Sequence, residues 1–240
     1  FQGDRIELNS WKIVAPGHIY YNDKDILNGQ MTLEAIFDLS DTWSHNIKWY
    51  GRSNKFFEQT ASAVATGPLA QTLTINYKYN NSDADILVRA YKDLPYMDLD
   101  IRVHWQEKRS LLKLCFPFAD IQEVKVQGPG ATIQKDTIEQ EEPLHGWLRT
   151  DTLEILQNGL FAYDRVDDHI RLTLVRSNIF GYHIDTIPHL EFPYNYTDLG
   201  THYFKIRLYL HQDEAPHEID KRFTSFIEPP KDQKKYSISI

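Results

Sequence analysis

Cysteine is almost missing from this chain: the 240 residues hold one, Cys115, set inside the apolar run Leu111 to Phe118. No intrachain disulfide can form, and a reducing compartment, the cytoplasm, fits that usage better than a secretory one. Cys115 reads as a core residue. Basic charge is also scarce, with 26 Lys and Arg against 34 Asp and Glu for a net charge of −8. That balance leaves no broad cationic field for a phosphate backbone, so nucleic acid is not an expected partner. No stretch approaches the roughly 18 apolar residues of a membrane helix, and the amino terminus lacks the charged-then-apolar order of a secretory leader. No membrane partner is expected either. A Gly-x-Ser-x-Gly elbow and glycine-rich phosphate loops are absent, which argues against Ser-His-Asp hydrolysis and phosphate cradling.

Aromatic side chains are abundant: 14 Tyr, 12 Phe and 5 Trp make up 13% of the chain, within 41% hydrophobic residues. Such a composition is globular and favours strands over helices. The length suits one large β domain or two smaller ones. Leu73, Ile75, Tyr77 and Tyr79 alternate with Thr72, Thr74, Asn76 and Lys78, the two-residue period of a half-buried strand. After Asn80-Asn81-Ser82-Asp83 the alternation resumes at Ile86, Val88 and Ala90, which predicts a hairpin. Met97, Leu99, Ile101, Val103 and Trp105 give the clearest strand, with Trp105 in the core. The run Leu111 to Phe118 follows closely and reads as its antiparallel neighbour.

Two further strands alternate through Ile170, Leu172 and Leu174 and through Phe204, Ile206, Leu208 and Leu210. The segment from Ser177 to Gly200 between them is too long for a tight hairpin and reads as a surface or functional loop. A single short helix is expected within Asp213 to Phe226, where an acidic start precedes Ile219, Phe223 and Phe226. Many strands, long connections and no βαβ rhythm predict an all-β fold of packed antiparallel sheets, a sandwich or a supersandwich rather than a small closed barrel. Phe1-Gln2-Gly3 reads as an expression-tag remnant, residues 4–230 as one β domain, and 231–240 as a linker or final strand.

The chemistry concentrates in Leu39-Ser40-Asp41-Thr42-Trp43-Ser44-His45, which packs acid, hydroxyl, indole and imidazole into a stretch too polar for a core strand. Such loops usually serve a surface. Acidic groups cluster at Asp38 with Asp41, at Glu139 with Glu141 and Glu142, and at Asp164 with Asp167 and Asp168. Exposed carboxylates are the norm, so these read as solvated turns and rims, with Asp41 standing above the rest. His183-Ile184-Asp185 and His211-Gln212-Asp213 offer i and i+2 pairs of metal-ligand type, but no spacing supplies a third ligand. No metal site is expected in this chain. Trp43, Trp49, Tyr50 and Trp147 lie in polar contexts suited to stacking on a sugar ring or contacting another domain.

The order of motifs resembles the C-terminal region of glycoside hydrolase family 38 α-mannosidases of bacterial type. The resemblance runs from about Asp38 to about Pro230. It is carried by Asp41-Thr42-Trp43-Ser44-His45, then Ile101-Arg102-Val103-His104-Trp105, then Leu111-Leu112-Lys113. Next come Glu139 to Pro143 with Trp147, then Gly159-Leu160-Phe161-Ala162-Tyr163-Asp164, and Arg171-Leu172-Thr173-Leu174-Val175-Arg176-Ser177. Ile206-Arg207-Leu208-Tyr209-Leu210-His211 is similar to the closing strand of the family, with Leu210 where a proline is usual. Ser177 to Tyr182 replaces the acidic, proline-rich insertion common after the Arg-Ser strand.

What the resemblance implies is a parent enzyme that hydrolyses α-mannosidic bonds with retention, using zinc, an aspartate nucleophile and an aspartate acid. In the family these lie on an amino-terminal catalytic domain, absent here. This chain would then be an all-β domain, an antiparallel β supersandwich of the galactose-mutarotase-like kind with little helix, that packs on that partner, lines the rim of the α-mannoside site and is inactive alone. The rim candidates are Asp41, Trp43, His45, Trp147 and Arg176, the last matching a family arginine. His183-Ile184-Asp185 occupies the wrong place in the motif order for the family's zinc motif. Two other readings remain open: a free-standing carbohydrate-binding module, and an aldose-epimerase-like enzyme, for which His104, His145 and Glu142 form no recognisable arrangement.

Overall fold

The computed structural model describes residues 3–183, 192–212 and 214–227. A tag remnant at Phe1 and Gln2, the partner acids Asp185 and Asp213, and a linker or final strand over 231–240 therefore fall outside the described residues. Strands β1 (Arg5–Leu8), β2 (Trp11–Val14), β3 (His18–Tyr21) and β4 (Lys24–Gln30) form a four-stranded meander. The chain continues through β5 (Thr32–Phe37), β6 (Glu58–Thr66), β7 (Ala70–Tyr79), β8 (Ser82–Tyr91), β9 (Tyr96–Trp105) and β10 (Ser110–Pro117). There follow β11 (Lys125–Gly128), β12 (Ala131–Gln134), β13 (Glu141–Pro143), β14 (Trp147–Arg149), β15 (Leu153–Asn158), β16 (Ala162–Val166), β17 (His169–Ser177) and β18 (Gly200–Leu210). Among the described residues one helix, α1 (Pro216–Ile227), closes the order.

A nine-stranded sheet runs β12-β11-β14-β15-β18-β9-β8-β7-β6, and a five-stranded sheet runs β13-β16-β17-β10-β5. Neighbouring strands pair antiparallel, as the alternation predicts. The β7–β8 hairpin turns on Asn80 and Asn81, with Asn80 at a φ of 46°, a left-handed geometry that asparagine tolerates. Inward side chains of all three sheets join one core: Trp11 and Ile13 from the meander, Leu73, Val88, Leu99 and Trp105 from the large sheet, Leu112, Phe116 and Leu172 from the smaller. Among the described residues no helix is long and apolar enough to cross a membrane.

Two local expectations give way. β9 and β10 are consecutive but not paired: β9 lies between β8 and β18, whereas β10 lies between β5 and β17. Both edges of β9 are already taken, so residues 106–109 carry the chain across to the other sheet. That position buries β10 on both faces, which explains an apolar run in place of alternation. In β17 the alternation breaks as well. Its register against β10 skips Leu174, so Leu112 faces Val175 while Lys113 faces Thr173. This bulge turns both Leu174 and Val175 into the core.

Candidate functional site

β5 ends at Phe37; residues 38–52 return over the outer face of the five-stranded sheet, and residues 53–57 run along the edge of β5 before β6 begins. The first part of this strap is the Asp41 loop, and it is tightly organised. Asp38, 1% exposed, accepts from Ser40 N at 2.8 Å and Ser40 Oγ at 2.6 Å through one oxygen. Its other oxygen accepts from Arg176 Nε at 2.8 Å and Asn178 Nδ2 at 3.2 Å. Arg176 also donates to the carbonyls of Thr42 and Asp41 at 3.0 and 2.7 Å and to Ser40 Oγ at 3.0 Å, while its guanidinium lies 5.5 Å from the Tyr50 ring. Arg176, which the resemblance assigns to a rim, spends its donors on holding the loop.

Asp41, expected at a solvated rim, is fully buried. One carboxylate oxygen accepts from the backbone N–H groups of Trp43 and His45 at 3.1 and 3.0 Å, a local turn that bends the chain back on itself. The other meets His45 Nδ1 at 2.6 Å. Ser44 and Asn46 adopt left-handed φ values of 58° and 61°, which swing the His45 ring over the carboxylate. Thr42 is clasped by the far segment: its N–H donates to Tyr182 O at 3.1 Å, and its Oγ accepts from Tyr182 N and donates to Ile179 O at 2.7 Å. The clasp delivers His183 beside His45, with ring centres 5.1 Å apart. Trp43, 59% exposed, lies 6.1 and 6.2 Å from those two rings.

One ligand-type atom each from Asp41, His45 and His183 therefore falls within 4.8 Å of the others. In the sequence, His183 was grouped with Asp185; in space its companions include Asp41 and His45. The third donor lies about 140 positions away, which spacing could not reveal.

The second part of the strap covers a buried charge cluster. Lys113 sits fully buried on β10 and contacts Glu141, with Asp164 at 3.3 Å. Arg171 forks onto Asp164, reaches Glu34 at 3.4 Å and donates to Gly51 O at 3.0 Å. Trp49 Nε1 closes the cluster from above by donating to Asp164 at 2.9 Å. Burial pushes the Glu141 carboxyl above its ordinary value, and the neighbouring Lys113 charge offsets part of that rise. Glu142, too, is buried and accepts from Lys135, Thr137 and Gln140. The sequence places these acids in water; Glu141 and Asp164 are instead the counter-charges of a lysine and an arginine enclosed between sheet and strap, and Glu142 is held by the half-buried Lys135. A lysine within Leu111-Leu112-Lys113-Leu114-Cys115-Phe116 was the available signal, since a buried ammonium needs paired carboxylates.

Trp147 does not join the rim. It is fully buried on β14, where its indole N–H donates to Asp220 of α1 at 2.8 Å and its ring packs with Leu156, Tyr209 and Ile219. Its polar sequence neighbours concealed a contact supplied by a helix 73 residues later. Nor do the epimerase candidates meet: His104 on the nine-stranded sheet bonds with Thr201 and Gln106, whereas Glu142 belongs to the five-stranded sheet.

Among solved structures, an α-mannosidase from Enterococcus faecalis V583 aligns with 94% of this chain at a TM-score of 0.69 and 13% identity. A protein of glycosyl hydrolase family 38 from Enterococcus faecalis aligns with the same share at a TM-score of 0.69 and 14% identity. This chain covers 32% and 33% of those two chains, about a third of their length. At such identities the likeness concerns the fold. No curated protein matches by sequence. The family model described as the glycosyl hydrolases family 38 C-terminal domain matches residues 22–181, more than half of the chain, and the chain belongs to that family.

Proposed function

We propose that this chain is the non-catalytic β domain of a longer, retaining, zinc-dependent α-mannosidase, packed against a catalytic domain of the same polypeptide and lining the edge of its sugar site. The zinc ion, the nucleophile and the acid of that reading belong to the neighbouring domain; the part of this chain is to shape and desolvate the rim. The observation that carries the reading is the Asp41 loop, an exposed indole fixed beside two imidazoles by a buried carboxylate and Arg176. A stacking surface already ordered in this way binds a pyranose at little entropic cost. A reducing, cytoplasmic setting goes with the reading, since the single cysteine, Cys115, leaves no intrachain disulfide to form.

Without an assembled nucleophile and acid, the charge stabilisation that supplies most of the rate is missing. The isolated 240-residue chain with zinc is expected to show no turnover of an α-mannoside, while the longer parent turns over. Comparable activity of the two would overturn the proposal. The exposure of Trp43 favours a second reading, a sugar-binding module acting alone. A mannoside titration followed by tryptophan fluorescence separates the two: a saturable change lost in Trp43→Ala supports the module, and silence supports docking.

A further inference from the structure

We propose that Asp41, His45 and His183 form a binding site for a divalent transition-metal ion on this β domain. The inference rests on the geometry of the loop and stands apart from the mannosidase reading.

Three observations carry it. The donors are of the right kind: two imidazoles and one carboxylate, with all three ligand atoms inside 4.8 Å. Imidazole nitrogen selects zinc, nickel or cobalt over calcium and magnesium, which demand oxygen shells. The carboxylate is already oriented. Its first oxygen is occupied by the N–H groups of Trp43 and His45, which fixes the direction of the second toward the two rings. Outer hydrogen bonds of that sort orient the ligands of metal sites. Finally, the two chain segments that supply the donors are stapled together beside the site, through Thr42 to Tyr182 and Ile179, and through Asn178 to the Asp41 carbonyl at 2.9 Å.

Bond lengths of about 2.0–2.1 Å in a tetrahedral shell place ligand atoms roughly 3.3 Å apart. The Asp41–His45 separation of 2.6 Å would open by less than an ångström, and the widest separation, within 4.8 Å, would close by at most about 1.5 Å. Both rings are exposed, so the adjustment falls on side chains rather than on the clasped backbone. On binding, His45 gives Nδ1 to the ion and carries its proton on Nε2, while Asp41 exchanges a hydrogen bond for a metal bond. One carboxylate and two neutral imidazoles leave the dication one net positive charge. The exposed side then admits water or a pair of hydroxyls, with Trp43 as an adjoining wall.

Titration calorimetry of Zn2+ into the tag-free 240-residue chain tests the site. One ion per chain is expected, with affinity lowered more than about tenfold in His45→Ala and in His183→Ala, since loss of an outer partner alone costs that much. His104→Ala, on the large sheet, should leave binding unchanged. Ni2+ should quench tryptophan fluorescence, with the quenching largely lost in Trp43→Phe; this readout needs no ligand variant to fold. Absence of binding, or binding that survives both histidine substitutions, would overturn the proposal. Either result would leave the mannosidase reading where it stands, because that reading is tested by turnover of the longer enzyme.

Discussion

Trp105, the last residue of β9, donates its indole N–H to the hydroxyl of Ser177, the last residue of β17, at 2.9 Å, and so ties the nine-stranded sheet to the five-stranded one. Ser177 in turn donates to the carbonyl of Glu107 in the turn between the sheets. Both side chains are fully buried. Ser177→Ala leaves an indole N–H without its acceptor in a dry core and is expected to lower stability by about 1–3 kcal/mol. Urea unfolding followed by tryptophan fluorescence checks this. An unchanged midpoint would mean that the tie contributes nothing.

Arg176 neutralises Asp38, whose side chain is fully buried, and donates to three further acceptors of the same loop. Removing it strands the carboxylate. Arg176→Ala should cost about 2–4 kcal/mol, between the values for half-exposed and buried pairs, and should open residues 38–50 to limited proteolysis. Arg176→Lys should restore little, because an ammonium cannot reproduce a forked, planar set of donors.

The raised Glu141 carboxyl predicts a pH dependence. The folded state holds this proton more tightly than the unfolded state, so its contribution is fully present below the ordinary value of 4.5 and is lost as pH rises through the folded value. Unfolding free energies of wild type and Glu141→Gln, measured from acid to neutral pH, should differ by a term that falls with rising pH. A difference that rises with pH would contradict the assignment.

Helix α1 is held by Ile219, fully buried, and by the Asp220 bond to Trp147. Ile219→Ala should cost about 2–5 kcal/mol as a buried cavity substitution, and should shift Trp147 emission to the red as water reaches the indole. A Cβ at Gly146 would run into the Phe223 ring, so Gly146→Ala should loosen the same helix. Retention of wild-type emission in both variants would show that α1 is not what shields Trp147.

Strands of even alternation were plain in the sequence because one face of each meets the core and the other does not. Ile86, Val88, Leu99 and Ile101 state their direction by period alone. The sheet to which each strand belongs was not plain: β9 and β10 look like a hairpin until the pairing of β18, about 100 residues later, fills the edge of β9. The same limit applied to the site. Asp41, Trp43 and His45 announce themselves by lying within five residues, whereas Asn178, Tyr182 and His183 complete the loop only through folding. Burial was the poorest inference: Asp38, Asp41 and Asp164 look solvated as letters, and become interior once residues 38–52 fold over the five-stranded sheet, whereas Lys113 declares itself by lying in an apolar run.

The extra residue at Leu174 governs the parity of β17. Arg171 and Arg176 are five positions apart, an odd interval that in a regular strand sends two side chains to opposite surfaces. The irregularity at Leu174 absorbs one step, and both guanidiniums emerge on the outer surface, one gripping Gly51 and the other Asp41 and Thr42. Straightening the strand at Leu174 with no residue removed would keep every polar group of the loop and still dismantle it, by turning Arg176 inward while Arg171 stayed put; deleting Leu174 would instead leave the two arginines four positions apart and both outward.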